Sequence, residues 1–288
     1  MGIQFNEPTH RHVYARQPHQ EFYGRNIDKM PELIKDAKLP DRLPLSVAGF
    51  MKLRLRALDL YAAILENPKQ FALEYKAEAA KFFKDVWSNY VFTGDAALYH
   101  PDGKIKVDLD SETLRQINPN SPLIDGAVRM ENGLYKATKM PEVSKREVGQ
   151  FSRKHQNADE TLDNKFWRIL SRNPNYVPDK YAEDPKLLKN YVRAVNKLAE
   201  ITFSYDTNMG IYVGNPQQDA EIAWSWIVDR LEYGSDASGG LRLDNAYGRF
   251  VGVAPEAPRL AVPSSERLEQ IVATITKHSP EVQKLLAA

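Results

Sequence analysis

The chain has 288 residues, 42% hydrophobic and 27% charged, with a formal net charge of +1 and no cysteine. This composition excludes global disorder, a chain-wide attraction to nucleic acid or anionic membranes, and any disulfide, thiolate nucleophile or cysteine metal site. The length allows one large domain or two ordinary ones, with a core that needs no covalent staple.

Residues 1–44 read as an extended arm. They hold Pro8, Pro18, Pro31, Pro40 and Pro44, three of the six histidines and little apolar periodicity. Such a segment lies on another surface rather than forming a core of its own. It opens without the apolar stretch of a secretory leader, and Asn6 stands where a myristoylation signal needs Ser or Thr. Phe5, Tyr14, Phe22 and Tyr23 are spaced among Arg11, Arg16 and Arg25. Aromatic and arginine side chains anchor protein interfaces, because they bury area and still hydrogen-bond. These seven residues are therefore the expected interface, with other protein subunits or a second copy of the chain as partner. His10 and His12, near Glu7, His19 and Glu21, match no helix-borne pair of metal ligands, and no metal is expected there.

Leu45–Asn67 is predicted to be the central core helix. Ser46 caps it, and Lys52, Arg56, Asp59 and Glu66 fall on one narrow stripe while most other positions are apolar. With Arg54, those mid-span charges exclude a bilayer helix, and the expectation is a soluble, cytoplasmic protein. A second helix is predicted near Pro68–Tyr90. Its stripe of Phe71, Tyr75, Ala79, Phe82, Phe83, Val86 and Tyr90 reads as core packing rather than a stacking surface.

The acid-rich run TGDAALYHPDGKIKVDLDSETL, Thr93 to Leu114, reads as a hairpin followed by a capped helix. HPDG supplies a type I turn, and Asp110 or Ser111 caps DSETL. His100 is then a turn residue and not a catalytic one. The stretch NPNSPLIDG reads as loop, and Asn132-Gly133 predicts a second hairpin across AVRMENGLYKAT. Helices are predicted to resume at Ser144, which forms a capping box with Glu147, and to continue to about residue 203. Leu188, Tyr191, Val195, Leu198 and Thr202 mark one face of the last of them. A further helix is expected over 216–233, then a glycine-rich loop to a short strand, then a helix broken at Pro280 over 264–287.

The resulting expectation is a mainly helical α+β fold. Helices near 45–90, 144–203, 216–233 and 264–287 build the core, and a small β-hairpin insert lies around 90–140. The divisions are an extended N-terminal arm (1–44), a body (45–255), and a spacer with a C-terminal helix packed on that body (256–288).

No GxSxG, HExxH, GxGxxG or GxxxxGK[ST] motif occurs. No catalytic residue, cofactor or metal ligand is assigned. Charge is segregated along the chain: Ser204–Asn245 carries seven acids against Arg230 and Arg242, while 1–56 and 145–172 are net basic. The reading that follows is a non-catalytic subunit or adaptor of a larger assembly, such as a scaffold, secretion machine or particle, acting through protein contacts. The alternative is a motif-free hydrolase using carboxylates in 204–245, and the third reading is RNA binding through 145–172. The composition does not favour nucleic acid.

Overall fold

The computed structural model describes residues 19–35, 43–130, 133–144, 155–214, 219–246, 248–253 and 261–287. Its strands are β1 (His19–Tyr23), β2 (Leu43–Pro44), β3 (Val91–Tyr99), β4 (Lys104–Asp108), β5 (Leu123–Ile124), β6 (Ala127–Arg129), β7 (Glu142–Ser144), β8 (Ile211–Tyr212), β9 (Ile222–Val228), β10 (Ala237–Ser238) and β11 (Arg249–Val253). Its helices are α1 (Asn26–Ile34), α2 (Val47–Glu66), α3 (Leu73–Ser88), α4 (Glu112–Arg115), α5 (Leu134–Ala137), α6 (Ala158–Asp163), α7 (Lys165–Leu170), α8 (Leu187–Phe203), α9 (Ser265–Lys277) and α10 (Ser279–Leu286).

The expected helical core with a small hairpin insert is not what forms. All eleven described strands join one mixed sheet, whose main path runs β1-β11-β3-β9-β10-β8. The pairs β11–β3 and β10–β8 are parallel and the others antiparallel. The sheet and the helices share one contiguous hydrophobic core. The helix expected over 216–233 is replaced by β9, a central strand buried along its whole length. A strand covered on both faces reads as an unbroken apolar run, so IAWSWIV shows neither a helical nor an alternating period.

The arm also needs correcting where it is described. β1 pairs with β11 from His19↔Val253 to Tyr23↔Arg249. Phe22, Ile27, Met30 and Leu33 lie in the core. Pro31 inside α1 removes a helical hydrogen bond, a loss of about 3 kcal/mol. Burying Ile27, Met30 and Leu33 contributes about 1.5–3 kcal/mol each, which outweighs it.

The first hairpin forms as the turn residues dictate. β3 pairs with β4 from Ala96↔Asp108 to Tyr99↔Ile105, and the Gly103 amide donates to the His100 carbonyl at 2.9 Å. The second predicted hairpin does not form. β6 pairs with β5 and β9, β7 pairs with β4, and α5 follows Gly133; Asn132 lies outside the described residues. The turn that does form joins β5 to β6 at Asp125-Gly126, with φ of +49° and +74°. Two successive positive φ values are the type I′ geometry, which an Asp-Gly pair suits. The capping box expected at Ser144 and Glu147 lies partly outside the described residues; Ser144 itself ends β7.

α2 is the buried helix the sequence predicts, with the Ser46 hydroxyl accepting from the Gly49 amide at 3.0 Å. It packs on α3, α8, α9 and β9. Its polar stripe is where α9 docks: Arg267 Nε bonds Asp59 at 2.8 Å and Nη1 bonds Glu66 at 3.0 Å. Among the described residues no helix is long and apolar enough to cross a membrane.

Candidate functional site

Of the seven expected interface residues, Phe5, Arg11, Tyr14 and Arg16 lie outside the described residues. Phe22 is a core residue, which removes it from any contact surface. Its neighbour Tyr23 points the other way, 58% exposed, with the Arg249 guanidinium 5.9 Å over its ring. Alternation along β1 produces this split. Arg25 is exposed and bonds Asp28, Nε to Oδ2 at 2.8 Å.

Five of the seven acids of 204–245 are held by separate partners. Glu221 accepts from the Tyr135 amide at 3.1 Å, and Asp236 from the Gly210 amide at 2.7 Å. Asp229 is buried and accepts from the Arg230 amide, Glu232 pairs with the Arg230 side chain, and Asp244 pairs with Arg242. Among the described residues no group of three His, Asp or Glu side chains is placed to hold a metal. The basic stretch 145–172 is described from His155 onward, and there Lys165, Arg168 and Arg172 have partners within the chain. Lys165 bonds the Glu142 carbonyl, Arg168 bonds the Leu162 carbonyl, and Arg172 reaches a buried carboxylate.

That carboxylate is Asp95, set where β3 changes register against β9. Gly94 lets the bulge close on β2, since a Cβ there would sit 2.7 Å from Pro44 Cγ. Asp95, wholly buried, accepts from the Val47 amide at 2.8 Å and the Asp110 amide at 3.0 Å, and faces Arg172 Nη2 at 3.3 Å. Val47 opens α2, so the carboxylate satisfies one of the helix's unpaired first-turn amides. Burial pushes the Asp95 carboxyl above its ordinary range, and Arg172 draws it back. Asp95 and Asp110 together hold Arg172 above its ordinary value against burial. The acid-rich run is thus a splice between sheet and helix: Asp95 and Asp110 hold Arg172, Asp102 pairs with His100 and Lys104, and Glu112 pairs with Arg115.

Arg54 is a second buried charge, on the side of α2 away from the polar stripe. Its Nε donates to the Val86 carbonyl at 2.7 Å, and Nη1 to the Tyr191 hydroxyl at 2.7 Å and to Ser235 Oγ at 3.2 Å. Nη2 donates to the Asp229 carbonyl at 2.8 Å and the Asn89 carbonyl at 3.3 Å. The guanidinium lies 4.5 Å over the Phe50 ring and 5.0 Å over Trp87. Burial lowers its pKa, partly offset by Tyr191 and Asp229. Sequence reasoning passed over it; the signal was a cation on the apolar side of a core helix.

The glycine-rich segment is pinned at one end by Tyr99. The Tyr99 hydroxyl donates to the Gly239 carbonyl and accepts from the Gly214 amide, both at 2.8 Å, which ties the loop to β3.

Polar capacity left unused gathers in a cavity of about 570 Å³ between α3, the turn at 231–233 and the end of α10. Lys81, Lys84 and Ser88 line it from one face of α3, at helical spacing. Lys81 and Lys84 have no partner among the described residues. Asp85, on the same wall, is held by Arg249, and Arg230 by Glu232 at 3.1 Å. Trp87 and Ser88 also form the wall, and among the described residues neither the buried Trp87 indole N–H nor the buried Ser88 hydroxyl has a partner.

No family model matches the chain, and no curated protein does. Among solved structures it is similar to a Nanoarchaeota protein from work on the accommodation of massive sequence variation by the C-type lectin fold. The two are 15% identical over 83% of this chain and 98% of that one, with a TM-score of 0.49. A likeness of that size carries no argument for this chain; the corrected fold rests on its own strand pairing.

Proposed function

We propose that the chain is a non-catalytic subunit or adaptor of a larger protein assembly, and that it works by contact. The observation that carries this reading is the sheet edge at β1. β1 ends the strand order and pairs only with β11 among the described residues. It presents Tyr23, 58% exposed, and leads directly to Arg25. A strand edge left unpaired among the described residues, with an aromatic beside it, suits a partner that adds an extended segment through main-chain hydrogen bonds. The dispersal of the 204–245 acids gives the hydrolase alternative no support, and the internally partnered cations of 155–172 give RNA binding none. The same proposal sets the protein in the cytoplasm, where a chain without cysteine loses nothing to reducing conditions.

The test is the native mass of the tagged full chain in cell extract by size exclusion. The wild type is expected to elute in a complex well above its 32.8 kDa. A Tyr23→Ala, Arg25→Glu variant is expected to elute as free chain with unchanged melting. Elution of the wild type at monomer mass overturns the reading.

A further inference from the structure

We infer that the cavity beneath α3 binds a small phosphomonoester, with Lys81 and Lys84 as the anion-holding side chains. The inference is independent of the assembly reading.

Charge balance comes first. Three cations line the cavity, Lys81, Lys84 and Arg230, against two acids, Asp85 and Glu232. Both acids are already engaged, Asp85 with Arg249 and Glu232 with Arg230. Among the described residues the two lysines are left uncompensated, and they lie three residues apart on one turn of helix. Two unpaired ammonium groups on one wall match a dianion better than a monoanion.

The donor type points the same way. A carboxylate is best recognised by the fork of an arginine, whereas lysine binds phosphate as a point charge. The arginine here is drawn aside, its guanidinium 4.2 Å over the Tyr233 ring and its Nε ion-paired to Glu232 at 3.1 Å. Ser88 and the wholly buried Trp87 also belong to the wall, but the Ser88 hydroxyl and the Trp87 indole N–H are shielded from solvent, so the lysines alone are the anion-holding groups.

Size and shape fit a small organic ligand. About 570 Å³ lies within the range of small-molecule sites, and Phe203 and Leu286 give the cavity an apolar side for the carbon skeleton.

The experiment is isothermal titration calorimetry of the full chain at low ionic strength with phenyl phosphate, inorganic phosphate and benzoate. Phenyl phosphate is expected to saturate one site, inorganic phosphate to compete for it, and benzoate to bind at least about tenfold more weakly, a difference of about 1.4 kcal/mol. Lys81→Gln with Lys84→Gln is expected to weaken phenyl phosphate by on the order of tenfold or more. Lys189→Gln, which removes an exposed lysine from α8, is expected to leave it unchanged. The Trp87 indole N–H resonance, assigned with Trp87→Phe, should shift on titration. Lys81 is exposed and Lys84 half-buried, and neither belongs to the core, so the variants should melt like the wild type. Absence of saturation, equal binding of benzoate, or an equal loss in Lys189→Gln overturns the inference. Native elution with the assembly can persist in all of these cases, so the two proposals fail separately.

Discussion

Replacing Arg54 tests whether one buried cation ties the sheet to the helices. Arg54→Ala leaves five acceptors from five places in the chain without a donor: the Val86, Asn89 and Asp229 carbonyls, the Tyr191 hydroxyl and Ser235 Oγ. At about 1–3 kcal/mol for each buried orphan the sum is about 5–15 kcal/mol, as large as the stability of a whole domain. The sum overshoots, because the wild type already bears several kcal/mol for burying the guanidinium. The expected loss is therefore about 3–5 kcal/mol, the range for removing one partner of a buried charged network. Arg54→Lys keeps the charge, but one nitrogen with three donors does not span acceptors that Nε, Nη1 and Nη2 reach separately, so its loss should be smaller but substantial. Arg54→Met decides between hydrogen bonding and simple volume. Urea denaturation followed by tryptophan fluorescence and far-ultraviolet circular dichroism measures all three. If Arg54→Met matches the wild type in midpoint and slope, the five bonds contribute no net stability and the reasoning is refuted.

Leu58 is wholly buried on α2, and Leu58→Ala should cost about 2–5 kcal/mol by urea titration, an unchanged midpoint contradicting its place in the core. Gly126→Val should destabilise more than Gly126→Asn, since Asn tolerates the positive φ of this turn; equal midpoints would contradict the turn geometry. Asp108 has its pKa raised by burial, the Ser111 hydroxyl and Arg115 only partly offsetting it. Its folded pKa lies above the unfolded one, so the folded state disfavours the charged form, and that cost is present above the folded pKa and vanishes below the unfolded one. Asp108→Asn should therefore melt no lower than the wild type at pH 7, with any gain disappearing towards about pH 4. A gain that grows on acidification contradicts the sign.

Local chemistry made parts of this fold legible. α2 announced itself through the Ser46 cap and its apolar girth, the stripe on α8 through its spacing, and the β3–β4 turn through Pro101 and Gly103. What was hidden depended on partners far along the chain. β9 reads as a helix or a strand until something covers both its faces. β1 and α1 read as an arm because proline discounts regular structure, and only β11 and the core, more than two hundred residues away, reverse that judgement. Asp125-Gly126 was a missed turn, its flanking strands being only two and three residues long. The cavity was hidden for a different reason: Lys81 and Lys84 read as an ordinary solvated helix face. Only the approach of the 231–233 turn and α10 makes that face a wall.

The central claim, that the chain works by contact along β1, is tested most directly by hydrogen exchange. The amides of 19–23 are compared in the isolated full chain and in the native assembly fraction, with mass-spectrometric readout. A partner that adds a strand protects the outward-facing amides of β1 in the assembly and leaves β9, already central in the sheet, unchanged. Equal exchange of 19–23 in both samples contradicts the claim.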